Sequence, residues 1–135
     1  MNAASIALSG MRAAEARLQA SANNVANIRS EGAVPAEDGT QAAADTTPVY
    51  KPQRVESREA PGGGVSSRII SETSFNQVFR PESTDANSDG MVAEPRVDLA
   101  QEAVNQISAA QQYAANIKVM QSATTMSQQM LSIRV

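Results

Sequence analysis

Thirty-nine consecutive residues, Val97 to Val135, contain neither proline nor glycine. Apolar side chains recur along them at three- and four-residue steps, the spacing of one face of an α-helix. Ala100, Ala103, Ile107, Ala110, Ala114 and Ile117 alternate the two steps and form one narrow stripe, which suits a coiled-coil seam. Past Ile117 the row continues through Met120, Ala123, Met126, Met130 and Ile133. Its additional three-residue steps slew the seam sideways, as a stammer does, so the helix is expected to touch more than one neighbour.

The helix start is well specified. Asp98 can accept from the first free backbone amides, and Gln101 lies three residues on, as in a capping box. Glu102 sits near the positive end of the helix dipole, while Lys118 and Arg134 lie towards the negative end. Between Leu99 and Ile133 only Glu102 and Lys118 are charged, and Gln, Asn, Ser and Thr fill the polar positions. Such groups are inexpensive to desolvate when they find partners. The face carrying Gln112, opposite Ile117, can therefore lie either in water or against other subunits.

The N-terminal stretch repeats this logic. From Asn2 to about Ile28, Ala4, Leu8, Met11, Leu18, Ala22 and Val25 form a row broken only by Glu15, with Ala7, Ala14, Ser21 and Ile28 beside it. Two such helices at opposite ends of a chain can pair antiparallel, because the closure entropy of a long excursion between them grows only slowly with its length. Two helices bury few residues, so stability is expected to be completed by assembly. The fold class expected is mainly α: terminal helices over 1–28 and 98–135 paired as a coiled coil, and an irregular middle, 29–97, carrying a small β-hairpin.

Composition bounds the chemistry. Histidine and cysteine are absent, which removes imidazole bases, thiol nucleophiles, disulfides and the usual zinc ligands. A net charge of −3 with scattered Lys and Arg argues against nucleic acid. No apolar run approaches the ~18 residues of a membrane span. The N-terminal AASIALSGM has no basic residue before it, so it does not read as a secretory signal. The chain is expected in the cytoplasm, or exported without such a signal.

All six prolines, six of seven glycines and eleven of fourteen acidic residues lie between Arg29 and Arg96. Glu31 to Thr47, with little apolar mass, reads as a mobile linker without core. Val49 to Ser57 and Val65 to Glu72 are β-prone runs around Ala60-Pro61-Gly62-Gly63-Gly64, which predicts a hairpin, with Pro52 confining the first run to an edge or bulge. Phe75, Val78 and Phe79 can pack the middle onto the helices. The triple glycine lacks the Gly-Lys-Ser/Thr of a phosphate loop and reads as a turn. Asp85-Ala86-Asn87-Ser88-Asp89-Gly90 opens like a calcium loop, but its twelfth position is Arg96, where a carboxylate is needed. It reads as a turn leading into the final helix. No cofactor, metal, catalytic residue or small-molecule substrate is expected.

Leu8-Ser9-Gly10-Met11, Ala14, Leu18 and the box Ala22-Asn23-Asn24-Val25-Ala26-Asn27 resemble the N-terminal signature of bacterial flagellar rod and hook proteins. Gly90-Met91-Val92, Pro95, Val97-Asp98, Glu102, Val104-Asn105, Ser108 and Tyr113-Ala114-Ala115-Asn116-Ile117 resemble the closing segment of the short proximal-rod type. After the asparagine box this chain has Arg29-Ser30-Glu31-Gly32 where the family usually has a Thr-x-Gly-Tyr turn. The resemblance implies a non-enzymatic rod subunit whose terminal helices form the inner layer of a helical tube. It also implies export by the flagellar type III machinery without signal cleavage to a periplasmic rod, with copies of itself and other rod proteins as partners. On the residues alone, one of Asn23, Asn24 and Asn27 can cap the first helix in a left-handed conformation; three within five residues, together with the resemblance, imply contacts with a neighbouring subunit as well. Residues expected at a subunit interface or the helix seam in the first helix are Leu8, Met11, Leu18, Asn23, Asn24, Val25 and Asn27. Those in the last are Ile107, Tyr113, Asn116, Ile117, Met120, Met126 and Met130. A soluble coiled-coil adaptor forming a closed oligomer is the alternative.

Overall fold

A computed structural model of the chain describes residues 2–35 and 46–133. Helix α1 (Ala3–Ala26) is followed by strands β1 (Gln53–Glu59), β2 (Val65–Ser71), β3 (Phe75–Phe79) and β4 (Met91–Pro95), and then by α2 (Leu99–Ser132). Side chains fix both helix starts. The Asn2 carboxamide oxygen accepts from Ser5 N at 2.9 Å, and the Asp98 carboxylate accepts from Ala100 N at 2.9 Å and Gln101 N at 3.2 Å. The capping box is only half made, because Gln101 donates to Asn105 rather than back to Asp98. Arg134, expected to favour the far end of the helix, lies outside the described residues.

The helices run antiparallel, but the coiled coil expected from the apolar rows does not form. Ala7, Ala14 and Ser21, seven residues apart, are buried on the α1 side, and Ala109 is buried on the α2 side. These belong to the row beside the expected one. Ser21 Oγ donates to Glu102 O at 3.1 Å, and a methyl at Gly10 would lie 2.6–2.8 Å from the Asn116 side chain. Arg17 also reaches across, donating to Gln112 Oε1. Size and hydrogen bonding thus set the rotation of each helix: small and polar residues allow a close approach, which larger side chains prevent. Ile107 is left 59% exposed, and Gln112 is a partner of α1 rather than a member of the far face.

Seven of the ten buried apolar residues among the described ones are alanines. Each contributes one methyl, worth about 0.8 kcal/mol when fully buried, so this core is thin. Replacing Gly10 with Val should displace the Asn116 carboxamide from Gln112 O and cost about 1 kcal/mol in thermal melting. Asn116→Ala, which has already lost that bond, should show no further loss on adding Gly10→Val. A further loss of more than about 1 kcal/mol in the double variant would mean that the helix backbones, not the Asn116 side chain, meet the new methyls.

The middle is more ordered than an irregular segment. β1 and β2 form an antiparallel hairpin with Gln53 opposite Ser71 and Glu59 opposite Val65. Gly62, Gly63 and Gly64 in the turn all take positive φ, which side-chain-bearing residues adopt only at a cost. The strand starts directly after Pro52, whose carbonyl still accepts from Glu72 N at 2.7 Å. Ser9 Oγ accepts from Val65 N at 3.0 Å and seats the hairpin on α1.

A second antiparallel pair, β3 with β4, lies outside every sequence expectation. Gly32 exchanges two backbone hydrogen bonds with Ala93, and Ala33 N donates to Thr47 O at 2.8 Å. The described ends of the expected linker therefore extend this sheet, and Ala33 and Val49 join Val92 and Ala93 in a small core. Arg80 pairs with both Glu31 and Glu94 across the same strands. Residues 36–45 of that linker lie outside the described residues.

The Asp85–Gly90 turn leads into β4, not directly into α2. The Asn87 carboxamide accepts from Asp89 N and Met91 N, and Asp85 accepts from Thr47 N. Phe79 is not packed on the helices. It is 66% exposed, with one ring edge where a Gly90 methyl would fall, 2.8 Å away.

Candidate functional site: a polar junction beneath bare helical faces

The asparagines at the end of α1 build a junction between three segments. Asn24, 3% exposed, uses its whole carboxamide. Its nitrogen donates to Gln53 O at 2.8 Å and Glu102 Oε1 at 2.7 Å, while its oxygen accepts from Gln53 N at 2.7 Å and Tyr50 OH at 3.1 Å. An amide side chain can form four such bonds, and here all four tie α1 to the base of the hairpin and the first turn of α2. Asn23 donates to Gln53 Oε1 at 3.1 Å, and Asn27 caps the helix by donating to Asn23 O at 2.8 Å.

Burial first, and then the Glu102 carboxylate, hold the Tyr50 phenol above its ordinary range, so it remains a donor to Asn24. Among the described residues no buried side-chain polar atom lacks a partner. Two parts of the sequence reading change here. Asn27 has φ −104°, so the cap is not left-handed, and no described non-glycine residue has positive φ. The asparagines also find their partners inside the chain. The signal that sequence reasoning missed was Gln53, Tyr50 and Glu102 as the partner groups.

Next to this junction a cleft of about 460 Å³ lies between Arg17, Asn24, Arg54, Arg96, Asp98 and Glu102. Opposing charges and amides line it together. No cluster of three acidic side chains able to hold a metal is found among the described residues.

The apolar rows lie on the surface instead. Leu8 and Leu18 on α1 are exposed, as are Ile107, Tyr113, Met126 and Met130 on α2. Met11 is buried, and Val25, Asn116, Ile117 and Met120 are half-buried. At 100° per residue, Leu8 and Leu18 fall on the flank of α1 roughly opposite Ala13 and Ala20, which are buried on the hairpin side. Antiparallel pairing brings Ile117 and Tyr113 of α2 to that same flank, while Ile107, nine residues and so half a turn from Asn116, lies on the face of α2 turned away from α1. The hairpin covers one side of α1 only, and the opposite flank and the outer face of α2 are bare surfaces of small and apolar side chains.

The helix ends are also uneven. α2 has 34 residues and α1 has 24, so α2 exceeds its partner by 10, or about 15 Å. Contacts between Ser21 and Glu102 place the near ends together, and the surplus projects past the start of α1. There Ala3 and Ala4 meet Val119, Ala123, Met126 and Met130 around an apolar notch of about 670 Å³. No described helix is long and apolar enough to cross a membrane.

Residues 88–133, which hold β4 and all of α2, match the family described as flagellar basal body rod FlgEFG protein C-terminal. Similarity to curated relatives extends over nearly the whole chain. The flagellar basal-body rod protein FlgC of Salmonella typhimurium is 32% identical over 126 residues, covering 93% of this chain and 91% of the relative. The chain belongs to the FlgC family of flagellar basal-body rod proteins. FlgC of Yersinia enterocolitica is 34% identical over 120 residues, 89% of this chain and 87% of its own length. FlgC of Aquifex aeolicus is 32% identical over 125 residues, 87% and 84% respectively. The chain is therefore a structural rod subunit of the bacterial flagellum, and the closed-oligomer adaptor is set aside.

Proposed function

We propose that this FlgC-family subunit polymerises through the bare faces of α1 and α2, with copies of itself and other rod proteins, to form part of the torque-transmitting proximal rod. The single observation that carries this reading is the placement of Leu8, Leu18, Ile107 and Tyr113. All are exposed on paired helices whose own interface is filled by alanines. Surface area supports it. The chain exposes 9218 Å², against about 6,800 Å² for a compact monomer of this mass. Granting each residue outside the described ranges the ~160 Å² of a fully extended chain, and comparing the rest with a compact monomer of its own mass, leaves about 900 Å². That is close to one side of a standard protein interface, about 800 Å².

The resemblance at both termini supports export by the flagellar type III machinery, without a cleaved signal peptide, to a rod in the periplasmic space. Heterologous contacts that do not close generate filaments, and one flank plus a projecting helix end offers two different surfaces for them.

Ile107→Asp tests the reading. The side chain is exposed, so the monomer's melt should move by no more than about 0.5 kcal/mol. In a subunit contact the carboxylate would be desolvated without a partner, so rod assembly and swimming should be lost. Normal swimming by cells carrying Ile107→Asp would show that the outer face of α2 is wet and the reading wrong.

A further inference from the structure

The hairpin that sits on α1 has two open edges. Within it the hydrogen-bonded pairs are the even-numbered ones, as the bonds Glu72 N to Pro52 O and Ala60 N to Gly64 O on either side show. Backbone groups of the odd-numbered residues therefore point outward. The chain itself satisfies two of these positions: the Asn24 carboxamide pairs with both backbone groups of Gln53, and Ser9 accepts from Val65 N. Among the described residues, the outward groups of Val55 and Ser57 on β1, and of Ser67 and Ile69 on β2, have no partner in the chain.

An open edge of this kind is a template for another strand unless proline, lysine or a bulge blunts it. β2 has none of these, and its register is continuous. Its one charge, Arg68, is engaged by Glu56 at 2.9 Å. The two outer edges also match each other. β1 and β2 are both seven residues long and antiparallel. If the hairpin's own register is repeated between chains, Ser67 again faces Ser57, Ile69 faces Val55, and Arg68 faces Glu56. The last pairing is complementary in charge, and Glu56 already draws on Arg54 and Arg58 as well as Arg68.

We propose that the outer edge of β2 pairs with the outer edge of β1 in a second copy of the chain, in the register used within the hairpin. This rests on the rod reading, since it needs copies held side by side. Copies related by a rotation present β2 beside the next β1 in antiparallel sense, so the hairpins join into one continuous belt on the far side of α1 from the bare flank. A two-stranded hairpin is marginal alone, and each added neighbour completes it.

The chain has no cysteine, which makes the test clean. Cells expressing Val55→Cys and Ile69→Cys chains together should give, in isolated rods after mild oxidation, a disulfide-linked pair that neither variant gives alone. Ser67→Pro removes an outward N–H while keeping the hairpin's own bonds, as proline is tolerated on an edge facing solvent. Its circular dichroism and melt should match those of Ser67→Ala. Its incorporation into rods, and the cross-link yield in its background, should fall at least tenfold, while Ser67→Ala behaves as the parent. If the chain enters rods without the cross-link, or if Ser67→Pro enters as well as Ser67→Ala, the edge pairing is overturned and the rod reading stands. That first result would mean that another protein, or nothing, covers the edge. If the parent chain is absent from isolated rods altogether, the rod reading itself falls.

Discussion

Asn24→Asp should destabilise the protein severely at neutral pH. The substitution is nearly isosteric, yet it removes both donors of the carboxamide, leaving Gln53 O and Glu102 without their partners at 2.8 and 2.7 Å. It also sets a second carboxylate against Glu102 in a place that is 3% exposed. Breaking a satisfied buried network while adding a like charge costs about 3–5 kcal/mol, a large share of the ~5–15 kcal/mol that holds a domain together. The pH dependence gives the cause. Two adjacent carboxylates raise the folded-state pKa of the pair above the unfolded values, so the penalty is present at pH 7 and is relieved as pH falls towards 4. Asn24→Ala loses the same bonds without the charge and should show no such recovery relative to the parent. A neutral-pH melt of Asn24→Asp within 1 kcal/mol (about a fivefold change in the folding equilibrium) of the parent would mean that the junction does not hold the three segments together.

Gly32→Ala should open the small sheet core. A methyl at this position would stand 2.4 Å from Val49 N, 2.6 Å from Val49 Cα and 2.7 Å from Pro48 C. All three are backbone atoms, so no rotamer change relieves the contact. The strand segments at Ala33 and Val49 must separate, which breaks the Ala33 N to Thr47 O bond and exposes Val49. The expected cost is about 3 kcal/mol, from overpacking together with the lost bond. Hydrogen exchange should accelerate at the Ala33 and Ala93 amides while those in the middle of α1 stay protected. Retained protection at Ala33 and Ala93 would show that the strands can accommodate the methyl.

What could be read from the chain, and what could not, follows the range of the forces involved. Helix spacing, the Asp98 cap and the three glycines between β-prone runs are local signals. They located α1, α2 and the first hairpin to within a few residues. The rotation of the helices was not local. On α1 the rows beginning at Ala4 and at Ala7 both keep helical spacing, and apolar content favours the first. The structure buries the second because alanine and serine permit the approach that places Ser21 on Glu102 and Gly10 against Asn116. The Asn24 network joins residues 29 and 78 positions away, beyond any periodic pattern. β3 and β4 left a weak signal: two short runs of mixed polarity around an Asn-x-Asp-Gly turn, a hairpin pattern obscured by the resemblance to a calcium loop. Of the residues expected at a subunit interface or helix seam, Asn23, Asn24 and Asn27 make hydrogen bonds within the subunit, whereas Leu8, Leu18, Ile107 and Tyr113 are exposed.

The ten-residue difference between the helices bears on how a column of such subunits carries load. If the two helices ended level, stacked copies would meet at flat joints, and each joint would be a plane where no backbone continues across. With α2 projecting about 15 Å past α1, the ends interrupt the column at two heights, as bricks do in staggered courses. A twisting load arriving at the gap in one helix layer is passed sideways into an unbroken segment of the other. The junction at Asn24 and the Gly10 approach fix that stagger, because sliding one helix by a turn would lose both together.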